Sequence, residues 1–167
     1  MRLRKSREND LKYIIEIINE AKEFLKESKI DQWQQGYPNE EVILKDIENQ
    51  HSYVLEDDNK IIGTVALSFD GEETYDLIYD GKWISNNEYA VIHRIAASKK
   101  CNIKGIGTEI IKNIEKICID KGIENIKIDT HEKNLVMQKL LEKNNFKYCG
   151  VIYLEDKAKR VAFEKVI

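Results

Sequence analysis

Apolar residues recur along this chain with two distinct periods, and the changes of period mark its elements. Met1 to Lys5 alternates and predicts a short strand. Leu11, Ile14, Ile15, Ile18, Ala21 and Leu25 then fall on one helical face. Ser6 is placed to cap that helix, with Glu8 and Asp10 near the positive end of its dipole. Trp33 to Pro38 breaks the pattern through Gly36 and Pro38. A shorter helix follows, with Val42, Ile43 and Ile47 inward. Ser52 to Glu56 and Ile61 to Phe69 read as two strands joined by a hairpin turn at Asp57, Asp58, Asn59 and Lys60. Residues 70–88 are polar and irregular, with short strands expected around Tyr75 to Ile78 and Lys82 to Ile84.

Tyr89 to Ala97 reads YAVIHRIAA, almost continuously apolar, as expected of a central strand buried on both faces. Ile106, Ile110, Ile111, Ile114, Ile117 and Cys118 line the next helix, which Gly122 ends. Ile123 to Thr130 is a further strand. Asn134 is placed to cap a last helix with Met137, Leu140 and Leu141 inward, and Asn144 or Asn145 to end it in the left-handed conformation. Phe146 to Leu154 and Val161 to Ile167 are the final strands. The strand-helix-strand unit from Tyr89 to Thr130 predicts a parallel crossover in an otherwise mainly antiparallel sheet. No repeat or linker interrupts the pattern, so residues 1–167 are read as a single domain.

Composition narrows the function. The chain has 167 residues, 27 basic against 30 acidic, and a formal charge of -3. A nucleic-acid binder would carry a basic excess, so no nucleic-acid partner is expected. No apolar run approaches the ~20 residues that span a bilayer, and MRLRKSREND lacks the apolar core of a signal peptide. Cys101, Cys118 and Cys149 are odd in number and lack zinc spacing, which fits a reduced, cytoplasmic setting. His51, His93 and His131 are scattered, so no metal is expected.

The most informative stretch is Asn102-Ile103-Lys104-Gly105-Ile106-Gly107-Thr108, between the buried strand and its helix. Backbone amides at a helix start lack internal acceptors and carry positive potential, and glycine lets a bulky anion approach. A pyrophosphate suits such a turn. The spacing is not that of a Walker A loop, and Ile110 occupies the third glycine of a dinucleotide fingerprint. NIKGIG after YAVIHRIAASKKC resembles the acyl-CoA signature of the GNAT superfamily of N-acetyltransferases. Asn134, Met137, Leu140 and Asn145-Phe146 resemble that family's second segment, and the element order fits over the whole chain. Asn102 replaces the usual Gln or Arg, Asn145 replaces a glycine, and Leu141 stands where many members carry a tyrosine that protonates the leaving thiolate.

The resemblance implies an α/β (α+β) fold: a mixed, mostly antiparallel sheet with a splayed parallel strand pair, flanked by about four helices. It implies acetyl-CoA as cosubstrate. The Ile95 and Ala97 backbone would pair with the pantetheine arm, amides from Asn102 to Thr108 would hold the pyrophosphate, and Asn134 would meet the pantetheine or sulfur end. Lys99, Lys100 and Lys104 would add charge near the phosphates. The acceptor would be a small-molecule or peptide amine, attacking directly in a ternary complex; a non-catalytic acyl-CoA sensor is the alternative. His93 is the leading base, with Asp129 second; His131 has the same strand parity, and Tyr153 could donate a proton to the thiolate. Arg94 is expected to face away from His93 and to pair with a carboxylate. Trp33 and Tyr37 would contribute to the acceptor site, and the acidic stretch 70–80 would attract a cationic amine. Exposed edges of the C-terminal hairpin would permit a homodimer.

Overall fold

A computed structural model describes residues 1–167. Its strands are β1 (Arg2–Lys5), β2 (Ser52–Asp57), β3 (Lys60–Ser68), β4 (Tyr89–Ala97), β5 (Asn125–Thr130), β6 (Lys147–Tyr153) and β7 (Lys159–Val166). Its helices are α1 (Leu11–Glu27), α2 (Glu40–Glu48), α3 (Ile106–Asp120) and α4 (Leu135–Lys143). The strands order as β1-β2-β3-β4-β5-β7-β6, with β4 and β5 parallel. This is the mixed, mostly antiparallel architecture expected from the pattern. No helix is long and apolar enough to cross a membrane. The chain divides into two compact units, Met1–Leu67 with His93–Asn113, and Ser68–Ile92 with Ile114–Ile167.

In the first unit the predicted apolar faces meet. Ile14, Ile17 and Ile18 of α1 pack with Ile43 and Ile47 of α2, Val54 of β2 and Ala96 of β4. Ser6 does not cap α1 as expected. Its hydroxyl is spent on the Ser52 hydroxyl at 2.8 Å, which ties the end of β1 to β2. Asp10 takes over the turn, accepting the Arg7 N–H at 2.7 Å. Arg4 sits between Asp10 (2.7 Å) and Glu56 (2.6 Å), and its guanidinium holds both carboxyls below their usual range. The hairpin turn places Asp58 and Asn59 in the left-handed region, φ 46° and 61°, as a two-residue primed turn requires. The predicted break contains left-handed Trp33 and Gly36 and a cis Tyr37–Pro38 bond, after which the Asn39 side chain caps α2 by accepting the Val42 N–H.

One residue departs from extended geometry inside β4. Arg94 has φ 51°. Simple two-residue alternation does not carry through such a residue, so parity does not fix which way the residues on either side of it point. Its guanidinium grips Asp46 of α2 with two bonds of 2.7 Å, and donates to the Tyr37 hydroxyl at 2.6 Å. The carboxylate partner expected for Arg94 is therefore Asp46.

In the second unit β7 pairs antiparallel with both β5 and β6. Tyr75, Val91, Ile152 and Ala162 form one buried cluster within it. The short strands expected in 70–88 do not form. Glu73–Tyr75 is a 3₁₀ turn, and Tyr79 makes one isolated bridge to Val151. Side chains satisfy this segment instead: fully buried Glu164 accepts the Ile84 N–H at 2.7 Å, and the Trp83 indole donates to the Tyr75 carbonyl at 2.9 Å. The segment passes so close to β6 that a Cβ at Gly81 would lie 1.9 Å from the Cys149 carbonyl oxygen. Asn145, φ 66°, ends α4 in the left-handed conformation, and the Phe146 N–H closes back to the Leu141 carbonyl.

Asp46→Ala would leave the half-buried Arg94 guanidinium without its carboxylate. It is expected to cost about 1–3 kcal/mol, read as a lower denaturant midpoint at an unchanged slope. An unchanged midpoint would show that the pair does not hold β4.

Candidate functional site

The glycine turn belongs to the first unit. The first bond of α3 runs from the Glu109 N–H to the Gly105 carbonyl, so the amides of Ile106 and Gly107 have no acceptor within the helix. Gly105 is left-handed at φ 81°, and a Cβ there would meet nothing within 4 Å. The glycine is thus needed for the backbone path, and open space adjoins it. Gly63 of β3 lets the helix start sit close, since a Cβ there would lie 2.9 Å from Ile110 and 3.0 Å from Ile106. Asn102, Lys104 and Gly105 are exposed, Ile103, Gly107 and Thr108 are half-buried, and Ile106 is buried in the core. The backbone donors, the helix dipole and the open approach fit a pyrophosphate.

The nearby lysines are differently engaged. The Lys99 ammonium lies 3.9 Å from the centre of the Phe24 ring, and Lys100 pairs with Glu16 and Glu20 at 3.5 and 3.7 Å. Both turn toward α1 residues, which leaves Lys104 as the exposed cation of the turn itself.

His93 lies in β4 next to left-handed Arg94. Burial, the Arg94 charge and His51 push its pKa down to about 4. The ring is therefore neutral near neutral pH and only weakly basic. Trp33 packs against the α1/α2 core, whereas Tyr37 is 45% exposed and its hydroxyl accepts from Arg94. Ile95 is buried and Ala97 half-buried at the end of β4.

In the second unit the parallel ladder joins Tyr89, Ala90 and Val91 to Asn125, Ile126 and Lys127. It does not continue to Ile92 and Ile128, although both strands do. Asp129 lies beyond the ladder's end on β5. Its Oδ2 accepts the Tyr75 hydroxyl at 2.7 Å. Burial raises its pKa, Glu72 adds to the rise, and the Tyr75 bond and Arg160 oppose it. Tyr75 is 2% exposed, and burial beside the Asp129 charge lifts its phenol well above the ordinary value. Sequence reasoning did not single out Tyr75; the only available signal was an aromatic among the acids of 70–80, a feature Tyr79 shares.

Other expected residues occupy definite places. Asn134 caps α4, its Oδ1 accepting the Met137 N–H at 3.1 Å. His131 Nδ1 accepts the Lys133 N–H at 3.0 Å. Tyr153 is 45% exposed and stacks edge-on against Tyr79. Leu141, which by the resemblance stands where a tyrosine is expected, is fully buried.

Comparison with known proteins agrees with this arrangement. Residues 16–146 match the model of the acetyltransferase (GNAT) family. The chain is similar to an acetyltransferase of the GNAT family from Streptococcus agalactiae 2603, with 33% identity, a TM-score of 0.91, and coverage of 99% of this chain and 95% of that one. It is similar to a Staphylococcus aureus Mu50 protein at 30% identity and a TM-score of 0.74, over 99% of both chains. It shares the fold of the PaiA N-acetyltransferase from Thermoplasma acidophilum, solved in complex with coenzyme A, at 23% identity and a TM-score of 0.70, over 99% of this chain and 98% of that one. No curated protein matched by sequence. A glycine turn at the start of α3, a parallel ladder that stops short, and a family match across most of the chain lead to one conclusion: the chain belongs to the GNAT family of acetyltransferases.

Proposed function

We propose that this protein transfers the acetyl group of acetyl-CoA to a primary amine, by direct attack in a ternary complex, with a small-molecule amine preferred over a protein amine. The observation that carries the reading is the left-handed glycine turn whose first-turn amides lack acceptors within α3. Residues Asn102 to Thr108 would hold the pyrophosphate, with Lys104 adding charge. The Ile95 and Ala97 backbone would pair with the pantetheine arm, and Asn134 would meet its far end. Acetyl-CoA supplies an activated acyl thioester. The amine nitrogen forms the new bond to the acyl carbon as the carbon–sulfur bond breaks.

An alkylamine of pKa ~10 arrives protonated at neutral pH, so a group must take its proton. Two side chains compete for that role. His93 has its proton affinity lowered by burial and by Arg94, whereas Asp129 has its own raised. A base works better as its proton affinity rises toward the operating pH. With a pKa of about 4, His93 loses the advantage an imidazole ordinarily has over a carboxylate, and Asp129, held through Oδ2 by the Tyr75 hydroxyl, is taken as the base with His93 as the second candidate. On the acceptor side, the Tyr37 ring and Trp33 are proposed to contribute, and Asp70, Glu72, Glu73, Asp76 and Asp80 would draw in a cationic amine. The acyl-CoA sensor reading has one observation in its favour, the apolar core position of Leu141.

A CoA-release assay over a panel of amines separates the two readings. Turnover with at least one small amine is expected; acetyl-CoA binding without turnover for any small or peptide amine would support the sensor. Gly105→Val places a β-branched residue at φ 81°. If the turn relaxes in the free variant and re-forms around the ligand, the left-handed cost of about 1–2 kcal/mol predicts roughly tenfold weaker CoA binding by calorimetry. Unaltered affinity would contradict the pyrophosphate role.

A further inference from the structure

The carboxylate of Asp129 is held from one side only. The Tyr75 hydroxyl donates to Oδ2 at 2.7 Å, while Oδ1 accepts no hydrogen bond from the protein. Tyr75 is itself tightly placed. Its ring lies 5.2 Å from Trp83 and 6.4 Å from Tyr89, centre to centre, and its carbonyl accepts the Trp83 indole N–H. The residue that leads into its 3₁₀ turn is fixed too, since the Glu72 N–H donates to the Tyr89 hydroxyl at 3.2 Å. Phenylalanine could fill the same aromatic packing. A phenol buried to this degree needs an acceptor, and the acceptor it has is a carboxylate on β5, two residues past the last residue of its parallel ladder. The hydroxyl thus serves the carboxylate and not the core.

We propose that Tyr75 is a positioning residue for acetyl transfer: its hydroxyl fixes Oδ2 of Asp129 and leaves Oδ1 to receive the proton of the incoming amine. This rests on Asp129 being the base of the acetyl transfer proposed above. Oδ1 takes one proton from the ammonium and later returns it to solvent; the nitrogen lone pair forms the bond to the acyl carbon, the carbon–sulfur bond breaks, and the second proton lost from nitrogen goes with the departing sulfur, which leaves as the CoA thiol beside a neutral amide. The charged groups facing Asp129 are few. The 3₁₀ turn contributes Tyr75, the residue before it contributes Glu72, and β7 contributes Arg160. Arg160 and the phenol favour the carboxylate, and Glu72 opposes it.

The sign of the test follows. A hydrogen bond donated to a carboxylate stabilises its charged form, so removing it makes Asp129 bind a proton more readily. In Tyr75→Phe the acid limb of kcat/KM for the amine is expected to move to higher pH by about one unit, with kcat lowered and the KM for acetyl-CoA unchanged. Simple damage to folding would reduce active enzyme without moving the profile. Carboxyl carbon NMR of Asp129 reads the same upward shift without turnover, with Asp129→Asn identifying the resonance. A profile and a carboxyl titration both unmoved in Tyr75→Phe would overturn the proposal. Wild-type turnover in Asp129→Asn would overturn it as well. Absence of turnover in the wild type would refute the acetyl-transfer reading, and with it any role of Tyr75 in that reaction.

Discussion

A left-handed arginine in the middle of a buried strand is the constraint around which the first unit is organised. Arg94 at φ 51° costs about 1–2 kcal/mol in backbone strain. Two charge-assisted bonds to Asp46 offset that strain, and they also bind α2 to β4. Without the pair, a half-buried guanidinium would be left uncompensated on top of that strain. With it, β4 can interrupt its regular geometry one residue after His93, and the Tyr37 loop is drawn onto the same guanidinium. The break in β4 and the seating of the loop after α1 thus share one cause.

The second unit relies on carboxylates in a comparable way. Glu164, with no exposure to solvent, accepts from the Ile84 backbone and from Asn125, and so fixes the segment before β4. Asp129 accepts from Tyr75 in that same segment. The two acids differ in what remains. Glu164 has both oxygens occupied, as befits a structural anchor, whereas Asp129 keeps one oxygen without a protein donor. Lys127, nearly buried, rests its ammonium against Trp83 and Tyr89 at 4.3 and 3.9 Å, so the aromatic layer around Tyr75 is closed by an internal cation.

The elements that patterning made legible were those whose own side chains decide them. β4 runs from Tyr89 to Ala97 as its apolar run predicts, and the Asp58-Asn59 turn and the Asn145 stop follow from local backbone preference. Residues 70–88 were not legible, because Glu164 and Asp129, far along the chain, satisfy them in place of a strand ladder. Ser6 looked like a cap until β2 supplied Ser52 as its partner. Arg94 announced a carboxylate partner, and Asp46 falls at helical spacing on the same face as Val42 and Ile43, but nothing in the sequence joined an acid on one element to an arginine on another. In the candidate site, the glycine turn was visible as a motif because it acts through its backbone. The electrostatic contrast between His93 and Asp129 was not, since it comes from burial and from neighbours distant in sequence.

In the function proposed above, the start of α3 receives the pyrophosphate of an acyl-CoA. Amide resonances of Ile106 and Gly107, followed by NMR during a titration with CoA, test it most directly. Saturable shifts of both amides are expected at the midpoint seen by calorimetry, and much smaller ones with pantetheine, which lacks the pyrophosphate. Resonances that stay in place while CoA binds, or that respond equally to pantetheine, would contradict it.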